Sequence, residues 1–377
     1  MPEQPIILDT QFDPEDEYRP EPEPEPQPPA WMDGSLRIGI HTSISGSYLN
    51  ALESARKLGC NALQIFSSSP RMWAGPARIP DADAVAFRAR REALALGPLV
   101  VHANYLINLA ASQPMLRTRS IQAFHDELVR ALALGADFLV VHPGARGEAA
   151  TESAIATVVE SIKQGAKRVP LGRMRILIEN TAGMGSSLGS RLEEVGAMVH
   201  SLRDLAVGAC VDTAHLFASG YDISTEAGLA ATITKLDETV GLHNVYVVHM
   251  NDSKIALGGR VDRHAHIGAG KIKSAAFARI LRHPRLGCDP ASGLPGRAFL
   301  LETPIEDPGD DRRNIAKLWL LAGVAGPAAE KGYSMMTAAL RKRLAAHRKA
   351  ARKVAAESAR KGAKKNEKGI KRGRKTS

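Results

Sequence analysis

Histidines, aspartates and glutamates recur in this 377-residue sequence at the ends of short apolar runs. Each run is typical of a strand that is buried on both faces. Such residues end seven predicted strands: His41, His102, His142, Glu179, Asp212, His249 and Glu302. Further candidates follow in two loops: His215, Asp262, His264 and His266. Because none of them is a cysteine, the pattern favours a divalent-metal site with nitrogen and oxygen ligands.

Several acidic and imidazole side chains at one place need a common explanation, because burying unpaired charges is costly. A lone histidine at a strand end is usually an ordinary hydrogen-bonded residue. Here, however, seven of the twelve histidines fall on the same predicted face. A catalytic zinc takes about three protein ligands plus water, so the nine candidates other than His41 and His266 fit two or three ions better than one.

Eight strand–helix units must position these side chains. The predicted strands are Arg37–His41, Ala62–Phe66, Leu99–His102, Phe138–His142, Arg175–Glu179, Gly208–Asp212, Val245–His249 and Ala298–Glu302. The predicted helices are Tyr48–Leu58, Ala82–Leu96, Met115–Leu134, Ala154–Arg168, Arg191–Leu202, Thr225–Val240, Ser274–Leu281 and Arg313–Leu321. This alternation predicts an α/β fold of the (β/α)₈ or TIM-barrel type, in which all strand ends meet on the catalytic face. A doubly wound open sheet is the alternative.

The two ends of the chain carry opposite charge and frame the predicted barrel domain, residues 36–325. Residues 1–35 are acidic and Pro-rich, which predicts a disordered tail. Residues 326–377 are predicted to form a second tail, and positions 341–377 hold 16 Lys/Arg against 2 Asp/Glu. No apolar stretch is long enough to span a bilayer, and three widely separated cysteines do not suggest a disulfide framework. We therefore expect a cytoplasmic protein.

The metal site alone leaves the substrate open. Closely spaced ions suit phosphodiester hydrolysis, because they activate water and stabilise a leaving oxygen. A metal-dependent sugar isomerase or epimerase could use the same ligands on the same barrel. A barrel that binds DNA but has lost its chemistry is a third possibility, although every candidate ligand position is filled.

Seven segments, taken in their order along the chain, narrow the choice of function. They are His102–Leu109, His142–Gly144, Ile178–Gly183, Asp212–His215, His249–Lys254, Arg260–His264 and Leu301–Thr303. With these segments the sequence resembles the endonuclease IV family of apurinic/apyrimidinic endonucleases over roughly residues 36–322. The resemblance implies a zinc-dependent phosphodiesterase that cleaves DNA 5′ to an abasic site, leaves a 3′-hydroxyl and also removes 3′ blocking groups.

The resemblance further implies three zinc ions and assigns their ligands. One ion would be held by His102, His142 and Glu179. A second would be held by Glu179, Asp212, His249 and Glu302, with Glu179 bridging the two ions. The third would be held by His215, Asp262 and His264. Glu179 and Glu302 would be catalytic, since Glu302 would orient the attacking nucleophile.

A second set of residues would contact the DNA. By resemblance, Arg71, Tyr105 and Leu106 would fill the gap left by a flipped abasic nucleotide, and His41 would lie on the substrate side of the ligands. Without the resemblance, ordinary loop packing explains Tyr105 and Leu106 about as well. We expect His266 to hydrogen-bond neighbours rather than bind metal.

The expected partner is double-stranded DNA that contains abasic sites or blocked 3′ ends. We expect the enzyme to be monomeric and associated with the nucleoid. The basic C-terminal tail would add salt-sensitive affinity for DNA phosphates. A solvated tail or a segment that binds another partner is the alternative.

Overall fold

Eight parallel strands close into a barrel in the computed structural model, which describes residues 35–73, 78–286 and 297–336 together with 342 and 346. Around the barrel the order is β1, β2, β3, β4, β5, β6, β7 and β10. These strands are β1 (Arg37–His41), β2 (Ala62–Phe66), β3 (Leu99–His102), β4 (Phe138–Val141), β5 (Arg175–Glu179), β6 (Val207–Asp212), β7 (Val245–His249) and β10 (Ala298–Leu301). The closed barrel confirms the predicted TIM-barrel fold and excludes the open sheet.

The helices follow the barrel strands along the chain, and α9 follows the last of them. They are α1 (Tyr48–Leu58), α2 (Asp81–Ala93), α3 (Pro114–Ala133), α4 (Thr151–Ala166), α5 (Leu192–Ser201), α6 (Thr213–Ser219), α7 (Glu226–Thr239), α8 (Ser274–Leu281) and α9 (Asp310–Ala322). A 3₁₀ turn, Leu242–Asn244, precedes β7, and a two-stranded hairpin, β8 (Asp252–Ser253) with β9 (His264–Ala265), follows it. Helices α4 and α9 each begin three residues before their predicted starts. Their first turns contain acidic residues, which the positive end of a helix stabilises.

Helix α6 and the β8–β9 hairpin are absent from the sequence prediction. All but the last residue of α6 are buried, so the segment has no polar face from which a helical period could be recognised. The hairpin strands have two residues each, too few to show an alternating pattern. His215 therefore lies on a helix, where a loop was predicted.

Two apolar layers support the barrel. One fills its interior and includes Val100, Phe138, Leu177 and Leu300. The other, much larger layer packs between the strands and the surrounding helices. Because both faces of each strand are covered by apolar side chains, the polar residues at the strand ends are held on a rigid frame.

The ordered chain continues past the predicted domain boundary at residue 325. Residues 327–336 pack along the barrel, where the Tyr333 hydroxyl donates to Ser54 Oγ at 2.8 Å and Met336 is buried. The first ten or so residues of the predicted C-terminal tail therefore pack against the barrel. Most of the remaining prediction for that tail, and nearly all of the N-terminal one, lies outside the described residues. Among the described residues, no helix has the length and apolar character needed to cross a membrane.

Gly39 allows β1 to approach β2 closely. A Cβ atom at this position would lie 2.1 Å from the Ala62 carbonyl oxygen and 2.8 Å from Leu300 Cδ2. We expect Gly39→Ala to lower the free energy of unfolding by about 3 kcal/mol or more, because neither backbone can move without opening the barrel. Denaturant unfolding followed by circular dichroism measures the change.

Gly172 provides the matched control. It has a left-handed φ of 56°, and a Cβ there meets nothing within 4 Å. Gly172→Ala should therefore cost only the backbone strain, about 1–2 kcal/mol. Equal losses for the two variants would contradict a steric role for Gly39.

Candidate metal centre

All nine predicted ligands lie at the carboxyl ends of the barrel strands. We call this end the mouth, which is the rim formed by the loops that follow β1 to β7 and β10. Glu179, Asp212 and His249 end their strands, and His142 and Glu302 follow theirs by one residue. Asp212 also caps α6, since its Oδ1 accepts from the backbone N–H of His215 at 2.8 Å. This cap places His215 one turn into the helix and directs it to the same site.

Glu179 is the centre of the arrangement and is fully buried. Its Oε2 lies 3.2 Å from His102 Nε2 and 3.5 Å from His142 Nε2. Its Oε1 lies 2.9 Å from His249 Nδ1 and 3.5 Å from His215 Nδ1. Burial alone would raise the pKa of Glu179, but the surrounding imidazoles, first those of His142 and His249, hold the pKa well below its usual range. One carboxylate thus contacts four imidazoles.

A second group of residues has His249 at its centre, with carboxylates around it. Its Nδ1 lies 3.6 Å from Glu302 Oε2 and 3.9 Å from Asp212 Oδ2. Burial opposes ionisation of Glu302, yet its pKa lies well below normal, chiefly because of His249. The side chains of Glu179, Asp212, His249 and Glu302 each place a ligand atom within 4.8 Å of the others.

The third group lies on the outer side of Asp212. His215 Nε2 is 3.3 Å from Asp262 Oδ2, and His264 Nε2 is 3.1 Å from Asp262 Oδ1. Burial would lower the pKa values of the two imidazoles, but the carboxylates of Asp212 and Asp262 raise them to about 10 for His215 and about 9 for His264. Asp212, His215 and His264 form a group within 4.8 Å, and Asp262 joins them from a more exposed position.

Main-chain carbonyls orient three of the imidazoles. Nδ1 of His102 lies 2.8 Å from the Ala103 oxygen, Nδ1 of His215 lies 2.9 Å from the Asn180 oxygen, and Nδ1 of His264 lies 3.2 Å from the Glu302 oxygen. A carbonyl can only accept, so Nδ1 carries a proton, and the Nε2 lone pair would face the site once a bound ion replaces the second proton. His264 Nε2 is buried, and although it lies 3.1 Å from Asp262 Oδ1 it is not aligned for a hydrogen bond. This donor set and its orientation fit a cluster of divalent ions.

Comparison with known proteins places this arrangement in a family. A family model described as a xylose isomerase-like TIM barrel matches residues 52–319. A probable endonuclease 4 of Solibacter usitatus is 47% identical over 76% of this chain and 97% of its own length. A probable endonuclease 4 of Chloroflexus aurantiacus is 40% identical over 75% of this chain and 96% of its own. The chain belongs to the endonuclease IV family.

Comparison with solved structures supports the same family. The crystal structure of endonuclease IV from Thermus thermophilus is 37% identical, covers 76% of this chain and 99% of its own, and has a TM-score of 0.66. A D-tagatose 3-epimerase-like protein is similar with a TM-score of 0.55 but only 17% identity, so it shares the fold alone. The sugar-isomerase alternative is therefore less supported than membership of the endonuclease IV family.

Three buried amides hold the ligands of this endonuclease IV family member, and sequence reasoning gave none of them a role. Gln64 Nε2 donates to Glu302 Oε1 at 2.5 Å and lies 3.0 Å from His41 Nδ1, while its Oε1 lies 2.8 Å from His249 Nε2. Asn251 donates to Asp212 Oδ2 at 2.6 Å and accepts from the backbone N–H of Glu302 at 2.8 Å. Asn180 Oδ1 accepts from the backbone N–H of Asp212 at 2.7 Å. The sequence signal for a role of Gln64 was its polar side chain within the otherwise apolar run of β2.

The predicted DNA-side residues lie around the same mouth. Arg71 is exposed in the loop after β2, and Tyr105 is 56% exposed in the loop after β3. Leu106 is half-buried beside it. His41 lies next to the metal centre, where its Nδ1 is 3.8 Å from Glu302 Oε1, and burial lowers its pKa. A cavity of about 340 Å³ runs from Tyr105 and Leu106 to His142, His215 and Asp262.

Asn104 links the two loops. Its Nδ2 donates to the carbonyl oxygens of Ser69 at 3.1 Å and Met72 at 2.8 Å, on either side of Arg71. The backbone N–H of Tyr105 also donates to the Pro70 oxygen at 3.3 Å. Arg71 and the Tyr105–Leu106 pair therefore belong to one connected unit.

His266 lies away from the three groups. Its Nδ1 is 3.0 Å from Asn314 Nδ2, and its Nε2 is 3.5 Å from Asp310 Oδ2. The expected hydrogen bond to a neighbour is therefore present.

Gln64 provides a test of the metal centre that leaves every ligand in place. Gln64→Leu should lower the affinity for divalent zinc by about 10- to 100-fold, because His249 and Glu302 lose the amide that orients them. Competition with a chromophoric chelator measures the affinity. Gln164→Leu is the control, because Gln164 donates a hydrogen bond to the exposed Glu160 on α4. Equal zinc affinities for the two variants would exclude an orienting role for Gln64.

Proposed function

We propose that this protein is a zinc-dependent DNA repair endonuclease that hydrolyses the phosphodiester 5′ to an abasic site and leaves a 3′-hydroxyl. Removal of 3′ blocking groups would use the same site. The observation that carries the proposal is the buried Glu179 carboxylate between the His102–His142 pair and the Asp212–His249–Glu302 group. Family membership makes DNA the proposed substrate.

The ligand assignment follows the three groups at the mouth. His102, His142 and Glu179 would hold one ion, and Glu179, Asp212, His249 and Glu302 a second. His215, Asp262 and His264 would hold a third. Imidazole and carboxylate ligands suit zinc. When bound, such ions supply a water of lowered pKa and a positive charge for the leaving oxygen.

Glu302 is the proposed orienting group for the attacking water. Its side chain is 16% exposed, so it is the most open carboxylate of its group. Gln64 fixes Oε1, and Asn251 fixes the backbone of the same residue. Because His249 keeps the pKa of Glu302 low, the carboxylate is ionised at neutral pH and can accept a hydrogen bond from the attacking water.

Recognition of the lesion would depend on the linked loops after β2 and β3. Tyr105 presents an exposed aromatic ring, and Leu106 adds an apolar surface next to it. Such side chains can enter a kinked duplex and replace a displaced nucleotide in the base stack. The neighbouring cavity would receive the sugar and phosphate of the displaced nucleotide, and a missing base lowers the cost of displacing it.

A duplex with one abasic site tests the proposed function. We expect metal-loaded protein to cut it 5′ to the lesion and a strong chelator to abolish cutting. Glu179→Gln should reduce the rate by about 100-fold or more, since loss of a partner that only orients a ligand already costs 10- to 100-fold. Gel analysis of labelled duplex measures both.

Glu160→Gln is the matched control, because Glu160 is exposed on α4 and belongs to none of the proposed ligand groups. It should cut at the wild-type rate. A metal-loaded wild-type protein that leaves the abasic duplex intact would overturn the proposed function.

Asn104 tests the linked loops separately from the metals. Asn104→Asp keeps the shape of the side chain but replaces the donating amide nitrogen by an oxygen, which would face the carbonyl oxygens of Ser69 and Met72. At about 1 kcal/mol for each lost hydrogen bond, we expect KM for abasic duplex to rise about 10-fold or more, with zinc content unchanged. Asn50→Asp is the control, since Asn50, on α1, makes a similar bond to the Ser45 carbonyl. A wild-type KM for Asn104→Asp would refute the linking role.

A further inference from the structure

Helix α3 buries an ion pair that belongs to none of the proposed ligand groups. Glu127 and Arg130 are 2% and 4% exposed, and Arg130 Nη2 lies 3.0 Å from Glu127 Oε1. They share the buried face of the helix with Phe124 and Leu128. Burial raises the pKa of Glu127, although the Arg130 guanidinium opposes that rise. Because the desolvation of two charges offsets most of their attraction, such a pair adds little net stability, and its presence needs another reason.

Both partners of this pair converge on one hydroxyl. Ser67 Oγ donates to Glu127 Oε2, and Arg130 Nε donates to the same Oγ at 2.7 Å. The Tyr48 hydroxyl, from the first turn of α1, donates to the Ser67 carbonyl oxygen at 2.7 Å. Ser67 is fully buried and is the first residue after β2. Its side chain is thus fixed by α3 and its main chain by α1.

Ser67 is where the loop after β2 begins. That loop carries Arg71, and its carbonyl oxygens accept hydrogen bonds from the Asn104 side chain and the Tyr105 backbone. The Asn104 bonds fix the two linked loops to each other, whereas Ser67 fixes them to the barrel. Without the anchor at Ser67, the loops would keep their mutual arrangement but could move together relative to the metal centre.

Helix α3 also holds the other end of the described part of this loop. The Arg119 guanidinium lies over the Trp73 ring, 4.5 Å from its centre. A cation over an aromatic face is attracted by the ring. One helix, which supplies no proposed metal ligand, therefore contacts both ends of the described segment that carries Arg71.

Phe66 connects the position of Ser67 to the metal centre. The centre of its ring is 5.2 Å from that of Tyr105 and 5.7 Å from that of His102, and both contacts are edge-on. Because Phe66 directly precedes Ser67, a shift of Ser67 would change the packing between the Tyr105 ring and a proposed metal ligand. The anchor thus sets the separation between the lesion-contact loops and the proposed site of cleavage.

We propose that Glu127 and Arg130 are positioning residues for lesion recognition. By fixing Ser67, the pair holds the linked loops in one position relative to the metal centre. The proposal rests on the proposed function, because it presupposes that these loops contact an abasic duplex. The pair acts through the loops and not on the reacting atoms, so its loss should weaken recognition of the duplex and leave the hydrolysis of bound duplex unchanged.

A triple variant with Ser67→Ala, Glu127→Met and Arg130→Met separates positioning from stability. It removes all three polar groups together and keeps most of the buried volume, and such replacements are often neutral or stabilising. We therefore expect Tm to equal or exceed that of the wild type. KM for abasic duplex should nevertheless rise about 10-fold, with kcat and zinc content unchanged, because both hydrogen bonds to Oγ are lost. A wild-type KM would overturn the proposal.

A second ion pair supplies the matched control. Arg91 Nη2 lies 3.2 Å from Asp137 Oδ2, and Asp137 also accepts from the backbone N–H of Leu99 at the start of β3. This pair therefore lies at the amino ends of the strands, opposite the mouth. Arg91→Met combined with Asp137→Asn should leave KM at the wild-type value, whatever its effect on Tm. A rise as large as that of the triple variant would count against the proposal, since loss of any such pair would then be sufficient.

Spin labels report the position of the loop without any DNA. Met72 is exposed in the loop and Glu160 is exposed on α4, so Met72→Cys and Glu160→Cys place two labels, with Cys288→Ser to remove a further reactive thiol. Cys60 and Cys210 are buried and should not react. Pulsed EPR should give a broader distance distribution in the triple variant than in the wild type, and an unchanged one in the control. A rise in KM without this broadening would refute an effect through the loop.

The two readouts separate this proposal from the proposed function. If wild-type protein leaves abasic duplex uncut while the triple variant broadens the distance distribution, the endonuclease assignment is refuted and the anchoring of the loop is supported. If wild-type protein cuts efficiently while the triple variant keeps both the KM and the distance distribution, the assignment is supported and the positioning role is refuted.

Discussion

The structure depends on one buried carboxylate. Glu179 is fully excluded from solvent at the end of β5, and an isolated charge there would be prohibitively costly. Four imidazoles approach it, but Asp212 and Glu302 add negative charge to the same volume. Additional positive charge therefore belongs in this arrangement, and divalent ions supply it compactly. The nine residues of the proposed ligand set are best understood as the surroundings that make a buried Glu179 tolerable.

The amides around this carboxylate explain how flexible ligands keep one geometry. Gln64 contacts a histidine ligand and a carboxylate ligand from a strand that supplies no ligand itself. Asn251 fixes the carboxylate of Asp212 and the backbone of Glu302, so β6, β7 and β10 are connected above the apolar interior. Because amides carry no charge, they satisfy the remaining polar atoms without changing the charge balance.

The barrel strands and the residues at their ends could be predicted from the sequence, because buried parallel strands leave a clear apolar signal. Each barrel strand was predicted to within one residue, and fold rules then required the strand-end residues to meet. Gln64 was missed, since one polar residue in an apolar run reads as a tolerated exception. Helix α6 was missed because a fully buried helix has no amphipathic period. The packing of residues 327–336 was not predicted, because their Gly-Pro-Lys-Glu composition resembles a tail and only the three-dimensional contacts of Tyr333 and Met336 distinguish the two.

Cys210 shows why position in the barrel determines which donors form the cluster. Its sulfur lies with Glu179 and His249 in a group that could in principle hold an ion. However, its side chain belongs to the apolar layer inside the barrel, and burial raises the pKa of the thiol to about 12. A neutral thiol is a poor ligand. The donors that can ionise, or that present a free lone pair, lie one layer higher at the mouth. The lower boundary of the candidate metal centre is therefore set by the depth at which the apolar layer inside the barrel ends.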